Sequence, residues 1–269
     1  MKSVASRDNA AFKAMARLAS SGAERRRRGA SVLDGAHLLA AFLDSGRKPE
    51  DVMVTRAGLA DPEVAGLVER SRPARVTLLA DALFETLSTV ESPTGVIAAV
   101  QTPGAAPVPD DAPLVLALED IQDPGNVGTL LRSAAAAGAG HVLLSRGCAF
   151  AWSPKVLRAA MGAHFAINIV EAADLHAFLA RYRGTSVALA GGGDRSLYAI
   201  DMSGPVALLV GNEGAGLGVD LAAAANVRAR IPMVGPVESL NAGTAGSIAL
   251  FEACRQRGER GFESADERR

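Results

Sequence analysis

Short apolar runs alternate with stretches of helical period along the whole chain. The runs at 114–118, 141–144, 187–190, 206–210 and 227–231 are strand-length and bounded by Gly, Pro, Asn or Asp, so they read as buried strands. Between them, apolar residues at three- and four-residue spacing predict helices over 127–137, 154–162, 172–182, 219–224 and 239–256. The earlier part repeats the pattern. Strands are predicted from 31–33 and at 51–55, 75–79 and 95–100, with helices over 8–28, 35–43, 62–70 and 81–87. Pro62 fits a helical first turn. Such alternation predicts an α/β protein with mostly parallel sheets.

Residues 102–113 interrupt the periodicity with four prolines and read as a stiff, extended linker. The expected organisation is a smaller α/β domain over 1–101, a linker over 102–113, a larger α/β domain over 114–258 and a charged tail over 259–269. The last helix is unusual in carrying Gly243 and Gly246 inside it. Each glycine costs a helix about 1 kcal/mol relative to alanine, so a ligand loop or another helix is expected to pass close by.

Composition narrows the class. The chain has 269 residues, 49% of them hydrophobic but only 4% aromatic, which implies a core of small, closely packed side chains. The net charge of -1 decides nothing about partners, but its distribution does. Lys2, Arg7, Lys13, Arg17, Arg25, Arg26, Arg27 and Arg28 face only Asp8 and Glu24 within the first thirty residues. Such an excess can neutralise nucleic-acid phosphates, or can simply be a solvated helix face. Cys148 and Cys254 do not form a disulfide framework, and no signal-peptide or membrane-spanning pattern is visible, which together predict a cytoplasmic protein.

Three segments carry candidate chemistry. The first, Asp123-Pro124-Gly125-Asn126-Val127-Gly128, follows a strand and leads into a helix bearing Arg132. Asn126 could cap that helix or face a cleft, and Arg132, on an otherwise apolar helix, needs water, a carboxylate or a phosphate. The second, Gly211-Asn212-Glu213-Gly214-Ala215-Gly216, lacks the spacing of a dinucleotide fingerprint, and its carboxylate would repel a pyrophosphate. The third, running from Ile231 to Asn241, sets Ser239 and Asn241 at the mouth of the last helix. Ser239 there is either a cap or an orienting group. Gly191-Gly192-Gly193 reads as a turn. The four histidines are scattered, so no metal site is expected, and neither a P-loop nor a nucleophile elbow is present.

Taken together, Asn126-x-Gly128-x-x-x-Arg132, Gly211-Asn212-Glu213-Gly214-x-Gly216-Leu217 and Ile231-Pro232-Met233-x-Gly235-x-x-x-Ser239-Leu240-Asn241 resemble, in order and spacing, the three motifs of the SpoU (TrmH) family of RNA ribose methyltransferases. Leu33-Asp34-Gly35-x-His37-Leu38 and Thr94-Gly95-Val96-Ile97-Ala98 resemble the substrate-binding domain that precedes the catalytic domain in many members. The sequence departs from the family after Asn241, where Gly243 replaces a usual hydroxyl residue, and at Asp34, where Glu is common.

The resemblance implies a trefoil-knotted SPOUT methyltransferase domain, a homodimer, and S-adenosylmethionine as donor. It implies cofactor contacts at Gly211, Asn212, Ile231, Met233 and Leu240, and polar functional roles for Asn126, Arg132, Glu213, Ser239 and Asn241. The expected activity is methylation of a ribose 2'-hydroxyl, with rRNA favoured over tRNA and Arg25 to Arg28 as RNA contacts. A non-catalytic RNA-binding or ribosome-assembly factor on the same fold is the alternative. Arginine stays protonated in proteins, so Arg132 is expected to clamp a phosphate rather than accept a proton.

Overall fold

The computed structural model describes residues 1–90 and 92–258; the charged tail expected at 259–269 lies outside them. The chain forms two compact units, one of Met1–Gly104 with Trp152–Phe165, the other of Ala105–Ala151 and the residues from Ala166 onward.

The first unit contains β1 (Lys2–Val4), α1 (Ala10–Ser20), α2 (Gly22–Arg28), β2 (Ala30–Asp34), α3 (Ala36–Asp44), β3 (Asp51–Val54), α4 (Arg56–Ala60), α5 (Pro62–Arg70), β4 (Arg75–Leu79), α6 (Asp81–Phe84) and β5 (Val96–Gln101). Its five strands lie in the order β1-β4-β3-β5-β2. The sheet is mixed rather than mostly parallel: β5 runs antiparallel to both β2 and β3. α6 is only four residues long, and among the described residues no helix lies between it and β5 to carry a parallel crossover. The helix expected over 8–28 is broken at Ser21, whose extended backbone ends α1 and whose hydroxyl accepts the Glu24 amide at the start of α2. Phe12, Met15 and Leu18 of α1 bury against Val32, Met53 and Ile97 of the sheet.

The second unit contains β6 (Leu114–Leu118), α7 (Pro124–Ala136) and β7 (His141–Leu144). The chain then forms α8 (Pro154–Ala160), which belongs to the first unit. Back in the second unit come β8 (Asn168–Val170), α9 (Leu175–Arg181), β9 (Thr185–Leu189), β10 (Arg195–Ser196), β11 (Val206–Val210), α10 (Val219–Ala224), β12 (Val227–Arg230) and α11 (Ala242–Gly258). Here all seven strands are parallel, in the order β10-β12-β9-β11-β6-β7-β8. β6 and β11 are buried along their whole length, as strands covered on both faces must be.

Aromatic packing explains why residues 152–165 join the first unit. Phe165 meets Phe42 edge-on at 5.2 Å between ring centres, and Trp152 lies 5.0 Å from His164. Val156, Leu157 and Ala160 of α8 are fully buried. The expectation of one uninterrupted domain over 114–258 therefore differs from the compact units, because this contact set depends on residues far away in sequence.

The glycines of α11 find their neighbour in α7. A Cβ on Gly246 would lie 2.3 Å from Leu130, and one on Gly243 would lie 3.2 Å from Asn126 Oδ1 and 3.4 Å from Thr129. The helix pair approaches closely because those positions carry no side chain.

Candidate active site at the strand exits

The carboxyl ends of β9, β11 and β12 open into a cavity of about 350 Å³ within the second unit. This is where open α/β sheets place ligands. Leu189, Val210, Ile231, Met233 and Leu240 supply apolar walls, while Gly191, Ala215, Ala242 and Ala245 keep space open. A Cβ on Gly191 would meet nothing within 4 Å. Among the described residues, its polar side chains are Asn212, Glu213, Glu238 and Ser239, and no lysine or arginine lines it.

The second loop is built by Asn212. Its side-chain oxygen accepts the amides of Gly214 and Ala215 at 2.9 and 3.0 Å, and its amide nitrogen donates to the Asp120 carbonyl at 2.8 Å. Gly211 lets the loop fold back on itself. A Cβ there would lie 2.2 Å from the backbone of Gly216 and Leu217. Asn212 thus shapes the loop with its side chain as well as lining the cavity.

Three segments are tied by one chain of hydrogen bonds. Glu213 Oε1 accepts from Asn126 Nδ2 at 2.9 Å and from the Asp123 amide at 3.2 Å; Oε2 accepts the Gln122 amide at 3.3 Å. Asn241 Nδ2 donates to Asn126 Oδ1 at 2.9 Å. Partial burial pulls the Glu213 pKa upward, but hydrogen bonds from Asn126, its own amide, Asp123 and Gln122 outweigh it, so the net shift is downward. The site therefore holds a carboxylate poor at accepting a proton and well fixed in space.

The structure separates the alternatives left open for Asn126 and Ser239. Asn126 does not cap α7. Asp123 does, accepting the Asn126 amide at 2.8 Å with Pro124 in the first turn, which frees the Asn126 side chain to bridge Glu213 and Asn241. α11 starts at Ala242 and is capped by Asn241, whose side-chain oxygen accepts the Thr244 amide at 3.1 Å, rather than by Ser239. Ser239 instead lines the cavity.

Arg132 lies outside the cavity lining. Six residues beyond Asn126, it points about 120° around the helix from it. It is exposed, with no hydrogen bond or ion pair among the described residues. Glu238 and the 189–191 exit of β9 line the cavity although sequence reasoning passed over them, and Gly191 lies in the run read only as a turn.

The basic run in α2 is also not a uniform RNA contact. Arg25 is 7% exposed and donates to the carbonyls of Leu18 and Ala19, so it locks α2 onto α1; burial lowers its pKa. Arg27 makes a two-pronged pair with Glu24. Arg26, Arg27 and Arg28 are exposed. A run of charge predicts an arm, but helix phase turns its first member inward.

Among the described residues, no helix is long and apolar enough to cross a membrane, and no group of three or more His, Cys, Asp or Glu side chains could hold a metal ion.

Comparison with known proteins gives the site its context. The SpoU rRNA Methylase family matches residues 113–251. A 23S rRNA (guanosine-2'-O-)-methyltransferase RlmB from Xylella fastidiosa is 40% identical over 54% of this chain and 59% of its own. This chain thus spans under two thirds of that relative's length. The mitochondrial rRNA methyltransferase 3 of Mus musculus is 30% identical over 86% of this chain and 69% of its own. The structure of an AdoMet-bound rRNA methyltransferase from Sinorhizobium meliloti superposes with a TM-score of 0.83, at 31% identity, over 94% of this chain and 97% of that one. Sequence over half the chain and fold over nearly all of it agree: the chain belongs to the SpoU rRNA methylase family.

Proposed function

We propose that the protein is an S-adenosylmethionine-dependent RNA methyltransferase that methylates a ribose 2'-hydroxyl in ribosomal RNA. The observation that carries this reading is the charge of the cavity. Among the described residues, its walls hold two carboxylates, Glu213 and Glu238, and no cation. Phosphate-bearing cofactors are poorly matched to such walls, whereas a positively charged sulfonium with an ammonium group is well matched. The apolar walls suit an adenine ring, and Glu238, exposed and without an ion pair among the described residues, is placed to meet a cationic group. The relatives named as rRNA methyltransferases and the AdoMet-bound neighbour support the same donor and substrate class.

When bound, S-adenosylmethionine supplies an already electrophilic methyl carbon, so the protein's task is alignment and proton removal. Glu213, Asn126 and Asn241 act as positioning residues: their hydrogen bonds hold the first and second loops and the start of α11 in register around the cavity mouth. Ser239 orients groups at that mouth. Arg132 grips a substrate phosphate through its free guanidinium and presents the ribose, and the hydroxyl proton leaves through water. Glu213, held ionised by its donors, is a weak base and is not assigned the proton.

The reading extends to a homodimer with a knotted catalytic domain, acting in the cytoplasm. Phe251 on α11 is 49% exposed and fits burial against a second copy. Cys148 and Cys254 are both free thiols, as a reducing compartment allows. The test is methyl transfer from labelled donor to unmodified rRNA and tRNA transcripts, followed by nucleoside analysis. A 2'-O-methylnucleoside in rRNA supports the proposal. Label only in tRNA, only on a base, or nowhere overturns it in the corresponding part.

A further inference from the structure

We propose that Lys155 and Arg158 of α8 form a phosphate-binding pair for the RNA on the first unit. The inference rests on the reading of RNA as substrate. It names contacts outside both the three motifs and the arginine run of α2.

α8 buries Val156, Leu157 and Ala160 and leaves Lys155 and Arg158 exposed. Three residues apart on a helix, the two project from neighbouring positions on one face. Neither forms an ion pair among the described residues. Arg27, Arg70, Arg72 and Arg75, by contrast, each meet a carboxylate. Two adjacent cations without a counter-ion repel one another, so an anionic partner would relieve the repulsion.

The surroundings fix where that partner would lie. Arg158 Nη1 donates to the Thr89 carbonyl at 3.2 Å, which anchors one edge of the guanidinium and leaves its other donors available. The Thr89 amide in turn donates to Asp34 at 2.8 Å, and Ser88 donates to the same carboxylate, so the local acid is already engaged. His37 Nε2 lies 3.3 Å from the carbonyl of Met161, the residue that ends α8. The pair therefore borders the exit of β2, where Asp34, Gly35 and the Thr94 hydroxyl bonded to the Ala36 amide form a compact turn. A fixed guanidinium beside a flexible ammonium suits two successive phosphates of a nucleic-acid backbone.

The test is binding of an unmodified 23S rRNA transcript across 50–200 mM salt by the wild-type chain and three variants. The double variant K155A/R158A is expected to bind about tenfold more weakly and to flatten the slope of log affinity against log salt by roughly 1.4–1.8, the share of two phosphates. Its donor affinity and melting temperature should stay at the wild-type values. The charge-preserving K155R/R158K should keep the wild-type slope. R70A, whose side chain already pairs with Asp44, should also match wild type. An unchanged slope in the double alanine variant overturns the proposal. So does equal loss in K155R/R158K, which would make the Thr89 contact, rather than charge, responsible. If the wild-type chain itself binds no RNA, the RNA reading fails, and this inference with it.

Discussion

Gly211→Ala isolates the geometry on which the cavity depends. The added methyl carbon would sit 2.2 Å from Gly216 C and Leu217 N and 2.4 Å from Gly216 O. These are backbone atoms, so the conflict cannot be relieved by a rotamer change, and separations below 3.0 Å are essentially never tolerated. The backbone at Gly211 is not left-handed, which makes the close approach the sole reason for glycine there. Relief needs the 211–217 turn to open by close to 1 Å, straining the Gly216 amide bond to the Asn212 carbonyl at 2.9 Å. Overpacking of this kind costs about 1–3 kcal/mol. That corresponds to a fall in melting temperature of about 2–12 °C for a protein of this size. If the same energy is withheld from donor binding, the dissociation constant rises about 5- to 140-fold. Calorimetric titration with S-adenosylmethionine and a thermal melt measure both. Gly214→Ala serves as the stability control, since its methyl carbon would lie 3.6 Å from the nearest atom, an ordinary contact, and its melting temperature should match wild type. Donor affinity within twofold of wild type in Gly211→Ala would refute the reasoning.

Arg132→Ala should retain donor binding by calorimetry and lose nearly all turnover in methyl-transfer assays; near-normal incorporation removes Arg132 from the mechanism. Glu213 has a folded-state pKa below its ordinary value of about 4.3, so its stabilising contribution is present above that pH and disappears as pH falls through the folded value. The melting-temperature gap between wild type and Glu213→Gln should accordingly be constant near neutrality and shrink below about pH 4; a gap that widens in acid contradicts the assignment. Arg25→Ala should destabilise by roughly 1.5–3 kcal/mol in denaturant unfolding, because two carbonyls lose a charged donor. Arg28→Ala, at an exposed position, should leave stability within about 0.5 kcal/mol.

Much of the second unit was legible from pattern. The strands Leu114–Leu118, His141–Leu144 and Val206–Val210 were predicted with the boundaries they have, because continuous apolar runs between turn residues are what a doubly covered parallel sheet requires. The glycines of α11 announced a close neighbour, and α7 is that neighbour. β1, β8 and β10, at three, three and two residues, are too short for any period to register. The start of α7 is readable too: Asp123-Pro124 is a cap followed by a first-turn proline, a stronger capping signal than Asn126, which leaves Asn126 for the cleft. Arg25 was not readable, since its burial depends on how α2 folds back on α1 after Ser21. Nor was the membership of α8 in the first unit, which follows from Phe165 meeting Phe42 across more than a hundred residues of chain. In the site, the motifs located the loops, while the bridge from Glu213 through Asn126 to Asn241 required the fold.

The central claim is that three loops remote in sequence enclose one cationic methyl donor. A crystal structure determined with S-adenosylmethionine tests it most directly. The donor is expected among the exits of β9, β11 and β12, between Gly191, Gly211, Ile231 and Leu240, with Glu213 still bonded to Asn126. A donor bound elsewhere, or a cavity that stays empty at saturating concentration, would contradict it.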